Sequence, residues 1–272
     1  MGLRINTNLA SISAQRNMSN VTQHLEGNFA RLSSGLRIAS AADDAAGLGI
    51  SEQMRAQIRS YSSAARNVQD GISLVQTAEG ALNEVSNILG RMRELAVQAA
   101  NGTLNDDDRA VIDTEFQQLN DEIDRISGDA NFNDIALLSS SASSVRLQVG
   151  IDGSDSMTIT LEDMSAGGLG VGDDVVSSVA GAQAALSEID DAIASVASNR
   201  GNLGATQGVL QSRLQSIYNA RENLSAAESR IRDVDVAAET ADLARNQILQ
   251  QASVSVLAQA NSQPSLALSL LG

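Results

Sequence analysis

The run ISEQMRAQIRSYSSAARNVQDGISLVQTAEGALNEVSNILGRMRELAVQAA, residues 50–100, carries an apolar or aromatic side chain every seventh position: Met54, Tyr61, Val68, Val75, Leu82, Leu89 and Ala96. A seven-residue repeat sustained this long predicts a helix with one continuous buried seam. Asn101-Gly102 stops it. A second such helix is expected from about Val179 to Ile231, with Ile189, Val196, Leu203, Leu210, Ile217, Leu224 and Ile231 in its repeat. Two heptad helices separated by a turn-containing middle pair most simply antiparallel. The expected fold is mainly α, a long antiparallel coiled-coil rod with its terminal helices side by side.

Outward from the first helix, Ala41 to Gly47 reads as a joint in which Asp43 and Asp44 suit a helix N-terminus. Before it, residues 4–34 repeat apolar positions at helical spacing, among them Leu9, Ile12, Met18, Val21, Leu25 and Phe29, and Ser33-Ser34-Gly35 ends the run. After residue 102, Asn105 to Asp108 cap a shorter helix whose inner face is Ile112, Phe116, Leu119, Ile123 and Ile126. Asp121, Glu122 and Asp124 beside Arg125 read as a solvated face. The pattern then alternates, Val145, Leu147, Val149 against Met157, Ile159, Leu161, which predicts a β-hairpin. Ser139 to Ser144 and Ser165 to Gly172 read as loops, the second a flexible glycine-rich one. Asp174, in this acidic stretch, is expected to be replaceable by alanine at little cost.

The last segment, AAETADLARNQILQQASVSVLAQANSQPSLALSLLG (237–272), places Ala241, Ala244, Ile248, Ala252 and Val256 on one helical stripe, with Leu249 and Leu257 beside them. Leu266, Leu268, Leu270 and Leu271 follow the chain's one proline, Pro264. Burial on a single surface returns too little to order such a segment, so packing on several neighbours is expected. Leu249, Val256, Leu257 and the four final leucines are therefore the candidate polymerisation residues.

Composition narrows the function. The 272 residues include no Cys, no Trp and no Lys, one His and one Pro, and aromatics make up 2%. This favours long helices over a compact α/β enzyme. His24 alone cannot make a histidine triad or a multi-histidine metal site, and it reads as a polar helix-face residue. Asp106 to Asp108 lack the EF-hand spacing, and Gly167, Gly168, Gly170 and Gly172 form no phosphate-binding fingerprint. No catalytic, cofactor or metal site is found. The net charge of −15 argues against nucleic-acid or anionic-membrane partners. Residues 105–176 hold 16 acids against 3 Arg, whereas residues 1–42 hold 4 Arg against 1 Glu. The middle is thus expected in solvent and the ends packed away. No apolar run is long enough to span a membrane, and residues 1–15 lack the apolar core of a signal peptide.

ARLSSGLRIASAADDAAGLGISEQM (30–54), NVQDGISLVQTAEGALNEV (67–85) and RMRELAVQAANGT (91–103) strongly resemble the N-terminal region of bacterial flagellin. Residues 229–271, beginning SRIRDVDVAAETADLARNQ, resemble its C-terminal region. The resemblance implies a subunit of the flagellar filament, in a short form without the large outer domains. It implies a map in which residues 1–43 and 233–272 form an inner coiled-coil domain lining the channel. Residues 44–176, with a β region near 129–165, and 177–232 form the rod domain. It further implies export without a cleaved signal, an export chaperone, and filament-cap and hook-junction partners. By the same resemblance Arg91, Leu95 and Glu115 match the surface recognised by a host Toll-like receptor, with Gly90 where detected flagellins often carry Gln. Arg91 and Glu115 equally suit packing between subunits. Ser139, Ser140, Ser141, Ser143 and Ser144 are a candidate O-glycosylation stretch. A hook–filament junction protein, which shares both terminal regions, is the alternative reading.

Overall fold

The computed structural model describes residues 7–269, with side chains through Ser262. The chain divides into two compact units, residues 57–222 and residues 1–56 with 223–272.

In the first of these, helix α2 (Ala45–Ala99) and helix α5 (Val179–Arg232) supply the core. Val68, Val75, Leu82, Leu89 and Ala96 are buried on α2, as are Ile189, Val196, Leu203, Leu210 and Ile217 on α5. The middle of each heptad run thus becomes core, whereas Met54, Tyr61, Leu224 and Ile231 at its ends are only half-buried. Arg93 Nε donates to Asp190 Oδ1 at 2.7 Å and Gln69 Nε2 to Tyr218 Oη at 3.1 Å. Rising numbers on one helix meet falling numbers on the other, so the pair is antiparallel.

Helix α3 (Asp106–Asp129) begins where Asn105 Oδ1 accepts the Asp108 N–H at 2.7 Å, with three aspartates in its first turn. They sit at the positive end of the helix dipole. Arg109 folds back from this turn and is buried. It donates to Asp106 Oδ1 at 2.9 Å and to the carbonyls of Ala99 at 3.1 Å and Asn101 at 3.2 Å. A cation thereby takes up carbonyls that the end of α2 leaves unpaired.

Two short antiparallel pairs follow. Strands β1 (Asn131–Phe132) and β2 (Ile135–Ala136) are joined through Asn133 and Asp134, both left-handed at φ 50° and 62°. Asn and Asp tolerate that conformation better than other side-chain-bearing residues. Strands β3 (Val145–Gln148) and β4 (Ser156–Ile159) form the expected hairpin, Leu147 opposite Met157. The hairpin lies on α2, where Asn67 Nδ2 donates to the Gln148 carbonyl at 3.1 Å. Gly71 lies under Leu147, and any Cβ there would collide with Leu147 Cδ1.

The glycine-rich segment is a folded clasp, not a flexible loop. It holds helix α4 (Ala166–Leu169), capped by Ser165 and closed by left-handed Gly170, and buries Leu169, Val171 and Val176. The polar side of α3 holds it: Asp113 Oδ1 accepts from Val176 N at 2.7 Å, and Asp124 Oδ1 from Ala166 N at 2.8 Å. Between them Gln117 Nε2 donates to the Asp174 carbonyl at 2.7 Å and Asn120 Nδ2 to that of Val171 at 2.9 Å. Steps of four, three and four put all four residues on one face. Asp124 is exposed, but it is not merely solvated.

Asp174 also departs from expectation. It is 8% exposed, and its Oδ2 is buried with no hydrogen-bond partner. Burial, and next the Glu188 carboxyl beside it, push its pKa up to about 7. A group protonated in the folded chain and ionised in the unfolded one favours folding until pH rises through its folded pKa. Stability should therefore fall from about pH 4 to pH 7 and level off above it. Allowing for solvent screening, the linkage is worth about 1–2 kcal/mol, or roughly 3–6 °C of melting midpoint. Asp174→Asn should flatten that slope in a pH series of circular-dichroism melts, and an unchanged slope would refute the assignment.

The second unit contains helix α1 (Leu9–Ser34), the start of α2, the end of α5 and helix α6 (Val236–Ser269). Gly35, left-handed at φ 71°, ends α1, and Asp44 Oδ1 caps α2 by accepting the Gly47 N–H at 2.9 Å. Asp43 closes the joint instead, accepting from the Ser40 N–H and hydroxyl, each at 2.9 Å. These bonds hold its carboxyl below the usual range. Leu36 bridges to Asp233, Arg37 N donates to the Arg232 carbonyl at 2.6 Å, and Arg232 pairs with Glu52 at 2.7 Å. The α1–α2 and α5–α6 corners are thus tied to each other.

Candidate assembly surface

Helices α1 and α6 run antiparallel. Asn8 Nδ2 donates to the Ala260 carbonyl at 2.7 Å and Ser11 Oγ to Asn261 Oδ1 at 2.7 Å, while Asn28 meets Glu239 and Asn246 near the other end. The Ala260 contact has a cause in the sequence. Helix α6 continues through Pro264, which has no N–H to offer the carbonyl four residues earlier. Asn8, whose Oδ1 caps α1 at the Ser11 N–H, supplies the donor instead.

The less exposed positions of α6 run through Glu239, Leu243, Asn246, Gln250, Ser253, Leu257 and Ala260, in alternating steps of four and three. This is the seam toward α1, and most of it is polar. The matching seam on α1 is Asn8, Ser11, Ala14, Met18, Val21, Leu25 and Asn28. The stripe Ala241, Ala244, Ile248, Ala252 and Val256 lies on the other side of α6 and is exposed throughout, Ile248 at 66% and Val256 at 58%. Leu249 is exposed with it, whereas Leu257 is half-buried at the seam. On α1, Leu9, Ile12 and Phe29 face outward as well. Helix α6 thus has apolar residues on both sides, Leu243, Leu257 and Ala260 at the seam and Ile248, Leu249 and Val256 in solvent, where an amphipathic helix would keep one apolar face and turn it inward. Leu266 and Leu268 lie on α6, but their side chains, like the whole of Leu270 and Leu271, fall outside the described residues.

The residues matched to receptor recognition lie on α2 and α3. Arg91 Nη2 donates to Glu115 Oε1 at 2.7 Å and Nη1 to Glu94 Oε2 at 3.0 Å, and these carboxylates hold the guanidinium more firmly protonated. Both ends of the pair are exposed. Leu95 is buried in the core beneath them. Ser140, Ser141, Ser143 and Ser144 are exposed, and Ser139 is half-buried with its hydroxyl 2.9 Å from that of Ser141. His24 is exposed on α1. Among the described residues no group of three or more His, Cys, Asp or Glu is arranged to hold a metal ion, and no helix is long and apolar enough to cross a membrane.

Sequence reasoning missed the polar cluster of buried Asn28 and Glu239 with half-buried Asn246. The available signal was that asparagine and glutamate stand at seam positions of a four-three repeat, where apolar residues are usual.

Comparison with known proteins matches residues 5–143 to the bacterial flagellin N-terminal helical region and residues 186–271 to the bacterial flagellin C-terminal helical region. A flagellin of Halalkalibacterium halodurans is 48% identical over 269 residues, spanning 98% of this chain and 99% of that protein. The crystal structure of Bacillus cereus flagellin superposes with a TM-score of 0.52 at 35% identity, covering 60% of this chain and 94% of that one. A hook-associated protein structure from Vibrio parahaemolyticus covers 70% of this chain and all of its own, with a TM-score of 0.59. At 18% identity it shares the fold alone, and neither the family models nor the flagellin relative favours the hook–filament junction reading. With both terminal regions matched and near-complete coverage of a flagellin at 48% identity, the chain belongs to the bacterial flagellin family and is a structural subunit of the flagellar filament, not an enzyme.

Proposed function

We infer that the outward stripe of α6, with Leu9, Ile12 and Phe29 of α1, is the face by which each subunit docks on further copies of this chain. One observation carries this reading. An apolar stripe of α6 is left in solvent while four of the seven positions at its seam with α1 are polar. A contiguous apolar stripe stays exposed in a soluble protein chiefly where a partner covers it, and in a homopolymer the partner is another copy. Leu266, Leu268, Leu270 and Leu271 are proposed to take part in polymerisation on their sequence alone. The test is seeded polymerisation of Ile248→Ser/Val256→Ser, with sedimented filament as the readout.

On this reading residues 1–43 and 233–272 form the inner domain lining the channel. The tied corners at Leu36 and Asp233 support placing its boundary there. Residues 44–176 and 177–232 form the rod domain. The exposed C-terminal stripe is a natural surface for an export chaperone before assembly, and passage through the flagellar channel requires no cleaved signal. Filament-cap and hook-junction proteins would meet the same terminal helices at the two ends of the polymer. The exposed Arg91–Glu115 pair suits contact either with a neighbouring subunit or with a Toll-like receptor of a host, Leu95 supporting it from below. Ser140 to Ser144 are accessible to O-glycosylation.

A further inference from the structure

Resting on this assembly reading, we propose that Asn28, Glu239 and Asn246 select which face of α6 meets α1, keeping the apolar stripe out of the subunit's own helix pair and free for neighbouring subunits. Asn28 and Glu239 are both more than nine-tenths buried. The Asn28 amide is used at both ends: Nδ2 donates to Glu239 Oε1 at 2.5 Å, and Oδ1 accepts from Asn246 Nδ2 at 2.8 Å. Arg31 Nη1 stands 3.9 Å from the same Glu239 oxygen and Arg31 Nη2 3.6 Å from Asp43. The buried carboxylate therefore has a countercharge.

Burial of apolar surface is non-directional: turning Ile248, Leu249 and Val256 toward Leu25 and Met18 of α1 would take the place of Leu243, Leu257 and Ala260 at the seam, so apolar burial alone does not choose the facing. The Asn28 cluster opposes that rotation. It would strand two amides and a carboxylate that are satisfied in one facing alone, and a buried polar group without a partner is costly. The corner at Leu36 and Asp233 fixes where α1 ends and α6 begins. A helix leaving a short connector can still turn about its own axis, so facing needs a separate determinant. A buried asparagine that fixes the geometry of a helix pair at the expense of stability is a known device.

The chain has no cysteine, so introduced pairs report facing cleanly. Ser11→Cys/Asn261→Cys reads the observed seam, because those side chains touch. Ser11→Cys/Gln259→Cys reads the opposite face, because residues two apart in a helix point away from each other. Intramolecular disulfide yield is measured in filaments that contain the full-length cysteine variant as a minority component. With the cluster intact, the first pair should exceed the second at least tenfold. In Asn28→Ser/Glu239→Ser/Asn246→Ser, which removes the cluster without adding apolar bulk to the seam, that ratio should fall to about one or below, with helical content retained and incorporation into filaments reduced at least tenfold. An unchanged ratio in the triple variant, or a ratio near one with the cluster intact, overturns the proposal. Failure of the assembly reading looks different: Ile248→Ser/Val256→Ser would polymerise normally while keeping the first pair dominant.

Discussion

Leu210→Asp is expected to lower the melting midpoint of the soluble subunit by roughly 10–20 °C, whereas Val209→Asp, one residue away, should move it by no more than a degree or two. Leu210 is fully buried on α5, and Val209 is 49% exposed. The partner surface is also fixed. A Cβ placed on Gly71 of α2 would stand 3.6 Å from Leu210 Cδ1, so Leu210 faces the Gly71 end of the α2 seam, some five turns from Leu89. Placing a carboxylate there removes about 1.5–3 kcal/mol of leucine burial and leaves a charge with no partner in an apolar layer. Together these are worth about 4–6 kcal/mol, and roughly 2–4 °C is lost per kcal/mol in a unit of this size. The neighbour carries the same charge with nothing to desolvate. Circular-dichroism melts of the two variants decide it: equal midpoints would mean that the α5 heptads do not face the core.

That contrast also shows why the sequence was informative about some elements and silent about others. The seams of α2 and α5 were legible because every seventh residue is apolar and no other stripe on either helix competes with it. Helix ends were legible for a local reason: Asn105 and Asp44 carry side-chain oxygens at cap positions, and Gly35 can adopt the left-handed conformation. Helix α6 has two competing stripes, and periodicity alone selects the more apolar one as the candidate contact without saying what it contacts. The decision lies in Asn28, more than two hundred residues away in sequence, which turns Glu239 and Asn246 inward. Polar residues on α3 were ambiguous for a similar reason. Asp113, Gln117, Asn120 and Asp124 have helical spacing whether they meet water or the backbone of the 165–176 segment, and only the fold of that segment distinguishes the cases. Asp174 was hidden by its neighbours, since an acidic stretch says nothing about which carboxyl is folded under.

Ile248→Ser/Val256→Ser should leave the soluble subunit's melt within a degree or two of the unmodified protein and abolish detectable seeded polymerisation. Both side chains are more than half exposed in the single chain, so the subunit has little burial to lose. Covering them in a filament would be worth about 1.5–3 kcal/mol each, hence roughly 3–6 kcal/mol per docked subunit. In a helical polymer the contact recurs identically at every addition. A loss of that size raises the concentration needed for growth by about two to four orders of magnitude, at 1.4 kcal/mol per tenfold. Seeds that grow from unmodified subunits at micromolar concentration should therefore not grow from the variant at a hundred times that level. Leu257→Ser tests the other side of the helix. Leu257 is half-buried at the seam with α1, so its loss should loosen the α1–α6 pair and weaken polymerisation only partially, because the outward stripe is intact. The ordering of the two variants is the decisive result. If Leu257→Ser blocks growth while the double variant grows normally, the face turned to solvent is not the face that assembles.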